Sequence, residues 1–310
     1  MPPKSKKLKP KQQRQVRNWF NLPSDIAMNI LQRVNALDLL QNARKVCPAW
    51  RKICMDPAMW RVIYMESDLV EPLACKKICK LAVRRSKGQL VDITLVRFCD
   101  YELLKYVADR SSQVRRLEIA CYFRGRNGIW SEPFKKLSSL EELSLVRVKV
   151  RAEYIEAAGR CCPLLKTLKV NQKASASEYA PYDYYDFVNM QNEIAVAIGK
   201  NLPQLTRLEL IGSSMDNIGL QAILDGCCHL ESLDLRRCTK LDLNGDLGKR
   251  CYQQIKYLKL PHHSLEGYLR TYNILDEYED ECDLEFEYYD TTSEDEYDDY
   301  DSDGGGYGLE

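Results

Sequence analysis

Few side chains in this sequence have the types and spacing that catalysis requires. There are three histidines, His229, His262 and His263, and none lies in a pattern typical of a general base. A glycine-rich phosphate loop should follow a strand, but the run Gly304–Gly306 stands in an acidic terminal segment. A Gly-x-Ser-x-Gly nucleophile motif is also missing. The sequence therefore predicts a binding protein, with no bond chemistry of its own and no cofactor.

The thirteen cysteines raise the question of a zinc site. Cys75 with Cys79, or the run 227–229, could supply thiolate and imidazole ligands, but adjacent cysteines lack the usual separated spacing. Cys162 and Cys227 each lie three residues before a recurrent leucine pattern, which indicates small buried hydrophobes. No signal-peptide pattern is visible, so we expect free thiols, no metal site and a location in the nucleus and/or cytoplasm.

The elements that position these residues follow from a repeat. Seven copies of Leu-x-x-Leu-x-Leu, or a close variant, begin at Leu90, Val114, Leu140, Leu165, Leu205, Leu230 and Ile255. Their spacings are 24, 26, 25, 40, 25 and 25 residues. A period of about 25 is typical of leucine-rich repeats, in which each unit contributes one short strand and a helical return. We expect an α/β solenoid that offers surface for recognition.

The outward side chains of the predicted strands form the candidate binding surface. Side chains alternate along a strand, so the pattern residues face the core and their neighbours face a concave sheet. The candidate target-binding residues are Asp92, Arg116, Glu118, Glu142, Lys169, Arg207, Glu209, Asp234, Arg236 and Lys259. Their mixed charge favours a protein target over a uniformly charged polymer such as nucleic acid. Alternatively, many of them are simply the solvated face of the sheet.

The segment before the repeats predicts a small helical domain at 18–65. Leu22, Ile26, Ile30 and Val34 follow helical spacing, and Pro23 suits a first helical turn. Such a short domain cannot enclose all of its apolar residues, so some must be covered by the repeats or by a partner. Residues 66–89 predict a linker helix that caps the repeat domain at 90–275.

Charge is distributed unevenly, although the net charge is zero. Residues 1–17 contain seven Lys or Arg and no acid, whereas 276–310 contain seventeen Asp or Glu and no Lys or Arg. We expect both segments to be disordered. The basic arm suggests nuclear import, anion binding or a solubilising role. The 40-residue spacing places an insertion at about 172–192 that contains Tyr179, Tyr182 and Phe187, and we expect a contact loop or a solvated one.

The two halves together resemble a known family. The stretch LPSDIAMNILQRVNALDLLQNARKVCPAWRKICMDPAMW resembles an F-box motif, and DNIGLQAILDGCCHLESLDLRRC resembles a cysteine-containing leucine-rich repeat. An F-box followed by such repeats is the layout of F-box/LRR-repeat proteins, and the short array resembles plant members.

The resemblance implies a substrate receptor of a Skp–cullin–F-box ubiquitin ligase. The F-box would dock on a Skp-type adaptor, the cullin and RING subunit would join through that adaptor, and the repeats would hold an unknown target. The implied adaptor contacts are Leu22, Pro23, Ile26, Leu31, Val46 and Trp50. The alternative is an interaction scaffold or ligand receptor that acts without ubiquitin transfer. No nucleic-acid or membrane partner is expected.

Overall fold

The computed structural model describes residues 22–67, 71–120, 123–124, 131–172 and 184–265. The predicted basic arm at 1–17 and the predicted acidic tail at 276–310 lie outside these ranges.

The described chain begins with three short helices, α1 (Ser24–Leu31), α2 (Ala36–Gln41) and α3 (Pro48–Cys54). Local signals set their starts. The Asn35 side chain accepts a hydrogen bond of 2.8 Å from the Asp38 N–H and so caps α2. Pro48 opens α3, where a missing N–H costs nothing. Two 3₁₀ turns, Ala43–Lys45 and Pro57–Trp60, complete this segment.

Trp60 ties the helical segment together. Its indole is buried and donates a hydrogen bond of 2.9 Å from Nε1 to the Cys54 carbonyl. Leu40 and Ile53 are buried in the same core. Only Arg61 separates Trp60 from the first strand, β1 (Val62–Glu66). Sequence analysis did not predict this strand, and the expected domain boundary after residue 65 falls inside it.

Eight parallel strands form the main sheet. They are β1, β2 (Asp92–Val96), β4 (Arg116–Ala120), β6 (Glu142–Val146), β7 (Thr167–Asn171), β8 (Arg207–Glu209), β9 (Ser232–Asp234) and β10 (Tyr257–Lys259), in that spatial order. Each copy of the leucine pattern supplies one strand, and β1 adds the eighth. Two short strands, β3 (Cys99–Asp100) and β5 (Phe123–Arg124), pair beside it.

One helix lies between most successive strands. The helices are α4 (Pro72–Arg85), α5 (Tyr101–Arg110), α6 (Ser131–Lys136), α7 (Ala152–Cys161), α8 (Tyr184–Asn201), α9 (Asn217–Gly226) and α10 (Asp246–Gln254). Helix α4 matches the predicted linker helix, packs on α2, α5 and β1, and ends before Gly88, whose φ of 80° suits the turn that follows the helix.

The core lies between the sheet and the helices. The inward strand residues, such as Ile93, Leu117 and Leu143, alternate with outward polar residues and are buried. Glycines let the helices approach closely, because the Gly199 and Gly226 backbones of α8 and α9 lie in direct contact. The fold class is therefore mixed helix and strand with a parallel sheet.

Helix α8 corrects the predicted insertion at 172–192. Residues from Tyr184 onward belong to this helix, and Gln191 and Asn192 are buried. The second half of the predicted loop is thus an early start of the helical return. Tyr179 and Tyr182 lie outside the described residues.

Candidate protein-binding surfaces

Two apolar side chains stand exposed on one face of α1. Ile26 is 45% exposed and Ile30 is 36% exposed, and their spacing of four residues puts them one above the other. The opposite side of the helix is buried through Ala27 and Leu31. Helix α1 therefore covers the domain core with one side and presents aliphatic surface with the other.

The other predicted adaptor contacts have different environments. Val46, which follows the first 3₁₀ turn, is 53% exposed, and Pro23 is exposed as well. Leu22 and Trp50 are partly buried against the core. Leu31 is 1% exposed, so it stabilises the helical core and is not available at the surface. The three exposed apolar residues among the predicted adaptor contacts, Ile26, Ile30 and Val46, are together called the F-box apolar surface below.

The second surface is the side of the main sheet that faces away from the helices, called the polar face below. It contains the alternate strand residues, and the strand register aligns them in rows. One row is Val62, Asp92, Arg116, Glu142, Thr167, Arg207, Ser232 and Tyr257, and the next is Tyr64, Thr94, Glu118, Ser144, Lys169, Glu209, Asp234 and Lys259. All of the predicted target-binding residues except Arg236 are in these two rows, and Arg236 follows β9.

Ion pairs connect neighbouring strands across the polar face. Arg116 pairs with Asp92, and the Lys169 ammonium lies 2.6 Å from the Glu142 carboxylate. Such cross-strand pairs fix the register and the side-chain positions. They also mean that a target would meet a pre-arranged pattern of charge.

Three predicted target contacts are buried. The Glu209 carboxylate accepts hydrogen bonds of 3.1 and 2.8 Å from the Arg207 guanidinium. Asp234 accepts 2.9 and 2.7 Å bonds from Arg236, and the Lys259 ammonium lies 3.3 Å away. Because Glu209, Asp234 and Arg236 are nearly inaccessible, they hold the surface together and do not offer it to a target. This corrects the expectation that all ten side chains project into solvent.

The ionised form of Glu118 is disfavoured by its surroundings on this face. Burial raises the pKa of its carboxyl group, the Lys169 ammonium opposes that rise, and the Glu142 carboxylate adds to it. Three acidic residues, Asp92, Glu118 and Glu142, lie on the successive strands β2, β4 and β6. The first strands of the polar face therefore favour positive charge in a partner.

Sequence analysis missed two exposed apolar residues on this face. Val62 and Tyr64 of β1 lie on the edge strand of the sheet, directly after the three helices, and the Tyr64 hydroxyl donates a 2.7 Å hydrogen bond to Glu66. The alternation of Val62, Ile63, Tyr64 and Met65 was the available signal. It was hidden because the segment lacks the leucine pattern.

The buried thiols are unsuited to nucleophilic or metal chemistry. Burial raises the pKa of Cys162 to about 12 and that of Cys227 to about 11, so both stay protonated at neutral pH. The Cys227 thiol lies 3.5 Å from the Leu202 carbonyl. Within the described ranges, no three His, Cys, Asp or Glu side chains are grouped to hold a metal ion. No helix of the described chain is long and apolar enough to span a bilayer.

Comparison with known proteins decides the family. The F-box-like family model matches residues 19–66. Putative F-box/LRR-repeat protein 22 of Arabidopsis thaliana is 39% identical over 255 residues, which cover 81% of this chain and 79% of that protein. This chain belongs to the F-box/LRR-repeat family. F-box protein SKIP19 of the same plant is 38% identical over 251 residues, covering 80% and 78% of the two chains.

The F-box/LRR-repeat assignment confirms the resemblance seen in the sequence. The F-box-like match spans the three helices and also β1, so in this family member the F-box segment itself provides the first strand of the sheet. Putative F-box/LRR-repeat protein 21 of Arabidopsis thaliana is 36% identical and covers 81% of this chain, which extends the likeness through the repeats.

Proposed function

We propose that this protein is the substrate receptor of a Skp–cullin–F-box ubiquitin ligase. The proposal rests above all on the F-box apolar surface, in a domain that matches the F-box-like family. Fully burying one Ile or Val contributes about 1.5–3 kcal/mol. Ile26, Ile30 and Val46 therefore offer enough apolar area to anchor an adaptor, with Leu22, Pro23 and Trp50 at its margin.

The polar face of the sheet would hold the target. Its accessible side chains are fixed by cross-strand ion pairs, so little conformational entropy is lost when a partner binds. The cullin and RING subunit would join through the adaptor. Ubiquitin transfer would then be accelerated by proximity, because the target lysine is held near the activated thioester. No side chain of this protein needs to take part in bond formation.

Adaptor binding is tested with the full chain co-expressed with a Skp-type adaptor. Ile26→Asp combined with Ile30→Asp places two charges on the F-box apolar surface, and we expect at least a tenfold loss of retained adaptor. The matched control is Ile218→Asp, because Ile218 is 68% exposed on α9 and lies outside the F-box. The control should retain the adaptor as the unaltered chain does.

Thermal unfolding of each variant separates loss of binding from loss of fold. If the adaptor is retained equally by the double variant and the control, the ligase proposal is wrong. If the unaltered chain itself fails to retain the adaptor, the alternative of a scaffold that acts without ubiquitin transfer is favoured. If adaptor binding is seen, the purified assembly with cullin and RING subunit should transfer ubiquitin to proteins bound through residues 92–259.

A further inference from the structure

The chain leaves the last strand on the polar face. After β10, residues Leu260–His263 form a turn in which the His263 N–H donates to the Leu260 carbonyl at 3.1 Å. The Arg236 guanidinium, itself buried on the polar face, then donates a 2.9 Å hydrogen bond from Nη1 to the Ser264 carbonyl. Ser264 is therefore held against this face, and the chain continues from that point.

The exposed charge around this point is positive. On β8 to β10 the carboxylates of Glu209 and Asp234 are buried under their basic partners. By contrast, the side chains of Arg207 and Lys259 are 51% and 49% exposed. A partner that approaches the last three strands would meet a guanidinium and an ammonium, with the compensating carboxylates beneath them.

The first strands of the same face have the opposite charge. Glu66, Asp92, Glu118 and Glu142 lie on β1, β2, β4 and β6. The basic residues that pair with them are fewer: Arg97 with Glu66, Arg116 with Asp92, and Lys169 of β7 with Glu142. Burial together with neighbouring carboxylates already raises the pKa of Glu118, so further negative charge is disfavoured there. The polar face is thus acidic near the F-box and basic where the chain leaves it.

The segment that follows is strongly acidic and long enough to reach any strand. Residues 276–310 contain seventeen Asp or Glu and no Lys or Arg. Strands lie about 4.8 Å apart, so the eight-stranded sheet is roughly 35 Å across. An extended chain spans about 3.3 Å per residue. Because reach does not restrict the segment, charge decides where it binds.

We propose that the acidic segment 276–310 binds over β8, β9 and β10 of the polar face, on Arg207 and Lys259. Tethering raises its effective concentration to about the millimolar range, so even weak ion pairing would occupy the site. A target that binds there must displace it, which selects target segments rich in Asp or Glu. The competition with targets rests on the proposed function, whereas the binding of the segment to its own sheet does not.

The first test uses a carbodiimide cross-linker, which joins lysine ammonium groups to carboxylates in direct contact, on the full chain. We expect Lys259 to be linked to residues 276–310 in 50 mM salt, with at least a fivefold loss at 500 mM because screening weakens such pairs. Lys105 and Lys200 are the reference lysines, since both are exposed on helices of the opposite side. Links from Lys259 that are no more frequent than those from Lys105 and Lys200 would overturn the proposal.

The second test measures competition in the full chain with a fluorescent peptide of twenty glutamates. Changing the seventeen acids of 276–310 to Asn or Gln preserves the length of the segment, and we expect peptide affinity to rise at least fivefold in 50 mM salt. Adding Lys259→Glu should remove that gain, whereas adding Lys105→Glu with Lys200→Glu should not. Thermal unfolding verifies that each variant is folded. If the peptide binds with equal affinity to the unaltered chain and to the variant with Asn and Gln in 276–310, the proposal is also overturned. Neither test contains the adaptor, so its failure is distinct from failure of the ligase assignment.

Discussion

The F-box and the sheet that follows it contain the same aliphatic residues but bury them to different extents. Within the sheet, inward residues such as Ile93, Leu117 and Leu168 are covered by helices on one side and by neighbouring strands on both flanks. In the F-box, Ile26 and Ile30 follow equally regular helical spacing, yet both of them and Val46 remain exposed. Apolar periodicity therefore indicates which residues share a face, but complete burial also requires a neighbour on that face.

The difference in burial also separates residues that stabilise the fold from residues that are available for binding. Strands in the middle of the sheet are each stabilised by two neighbours, as expected for stacked units. The F-box packs on the sheet region at one end, where α2 and α4 contact each other and β1, whereas Ile26 and Ile30 of α1 are exposed. Substitutions in the sheet should therefore change stability, whereas substitutions on the F-box apolar surface should change binding.

The largest effect is expected at the centre of the sheet. Leu168 on β7 is fully buried, so Leu168→Ala should lower the free energy of unfolding by about 2–5 kcal/mol through lost burial and a cavity. Val46→Ala on the F-box apolar surface should change it by less than about 0.5 kcal/mol. Urea unfolding measures both. Similar losses in the two variants would remove the distinction between the regions.

A smaller effect is expected where helices of the sheet region touch through their backbones. A Cβ on Gly199 would lie 2.2 Å from the Ala222 carbonyl oxygen, so Gly199→Ala should force α8 and α9 apart at a cost of about 1–3 kcal/mol. Gly245→Ala is the control, since nothing lies within 4 Å of a Cβ built there. Thermal unfolding should show a lower midpoint for the first variant alone; equal midpoints would mean that the contact can relax.

The smallest effect concerns the buried thiols behind the sheet. Burial raises the pKa of Cys162 and of Cys238 to about 12, above the value of about 9 for an exposed thiol. Below pH 9 the thiols are protonated in both states, and as pH rises the unfolded state loses protons first. The free energy of unfolding should therefore fall between pH 9 and pH 12.

Urea unfolding at pH 8 and pH 10 measures this dependence before most lysines titrate. Cys162→Ala should lower stability at pH 8 and make the decrease towards pH 10 shallower. A decrease as steep as that of the unaltered chain would show that Cys162 does not contribute to it.

The sequence predicted the features that depend on local periodicity. The seven strands could be placed because each leucine pattern alternates inward and outward side chains over a few residues. The F-box helices and the capping helix α4 followed from helical spacing and from Pro23 and Gly88. These signals lie within one element and need no knowledge of its neighbours.

The remaining features depend on contacts between elements. Leu31 is aliphatic like Ile30, which directly precedes it and is exposed, and only the packing of α1 makes Leu31 inaccessible. Asp234 is buried because Arg236 and Lys259 converge on it, and Lys259 comes from the next strand. Strand β1 lacks the leucine pattern, so its place became apparent only from its pairing with β2.

The junction between the F-box and the sheet has a mechanical consequence. Arg61 is the single residue between the buried Trp60 and β1, and its carbonyl accepts hydrogen bonds of 2.9 and 3.2 Å from the Val91 and Asp92 N–H groups. The helical segment and the sheet are therefore joined without an intervening loop. A partner bound on the polar face would thus be held at a fixed distance and orientation from a second partner bound on α1.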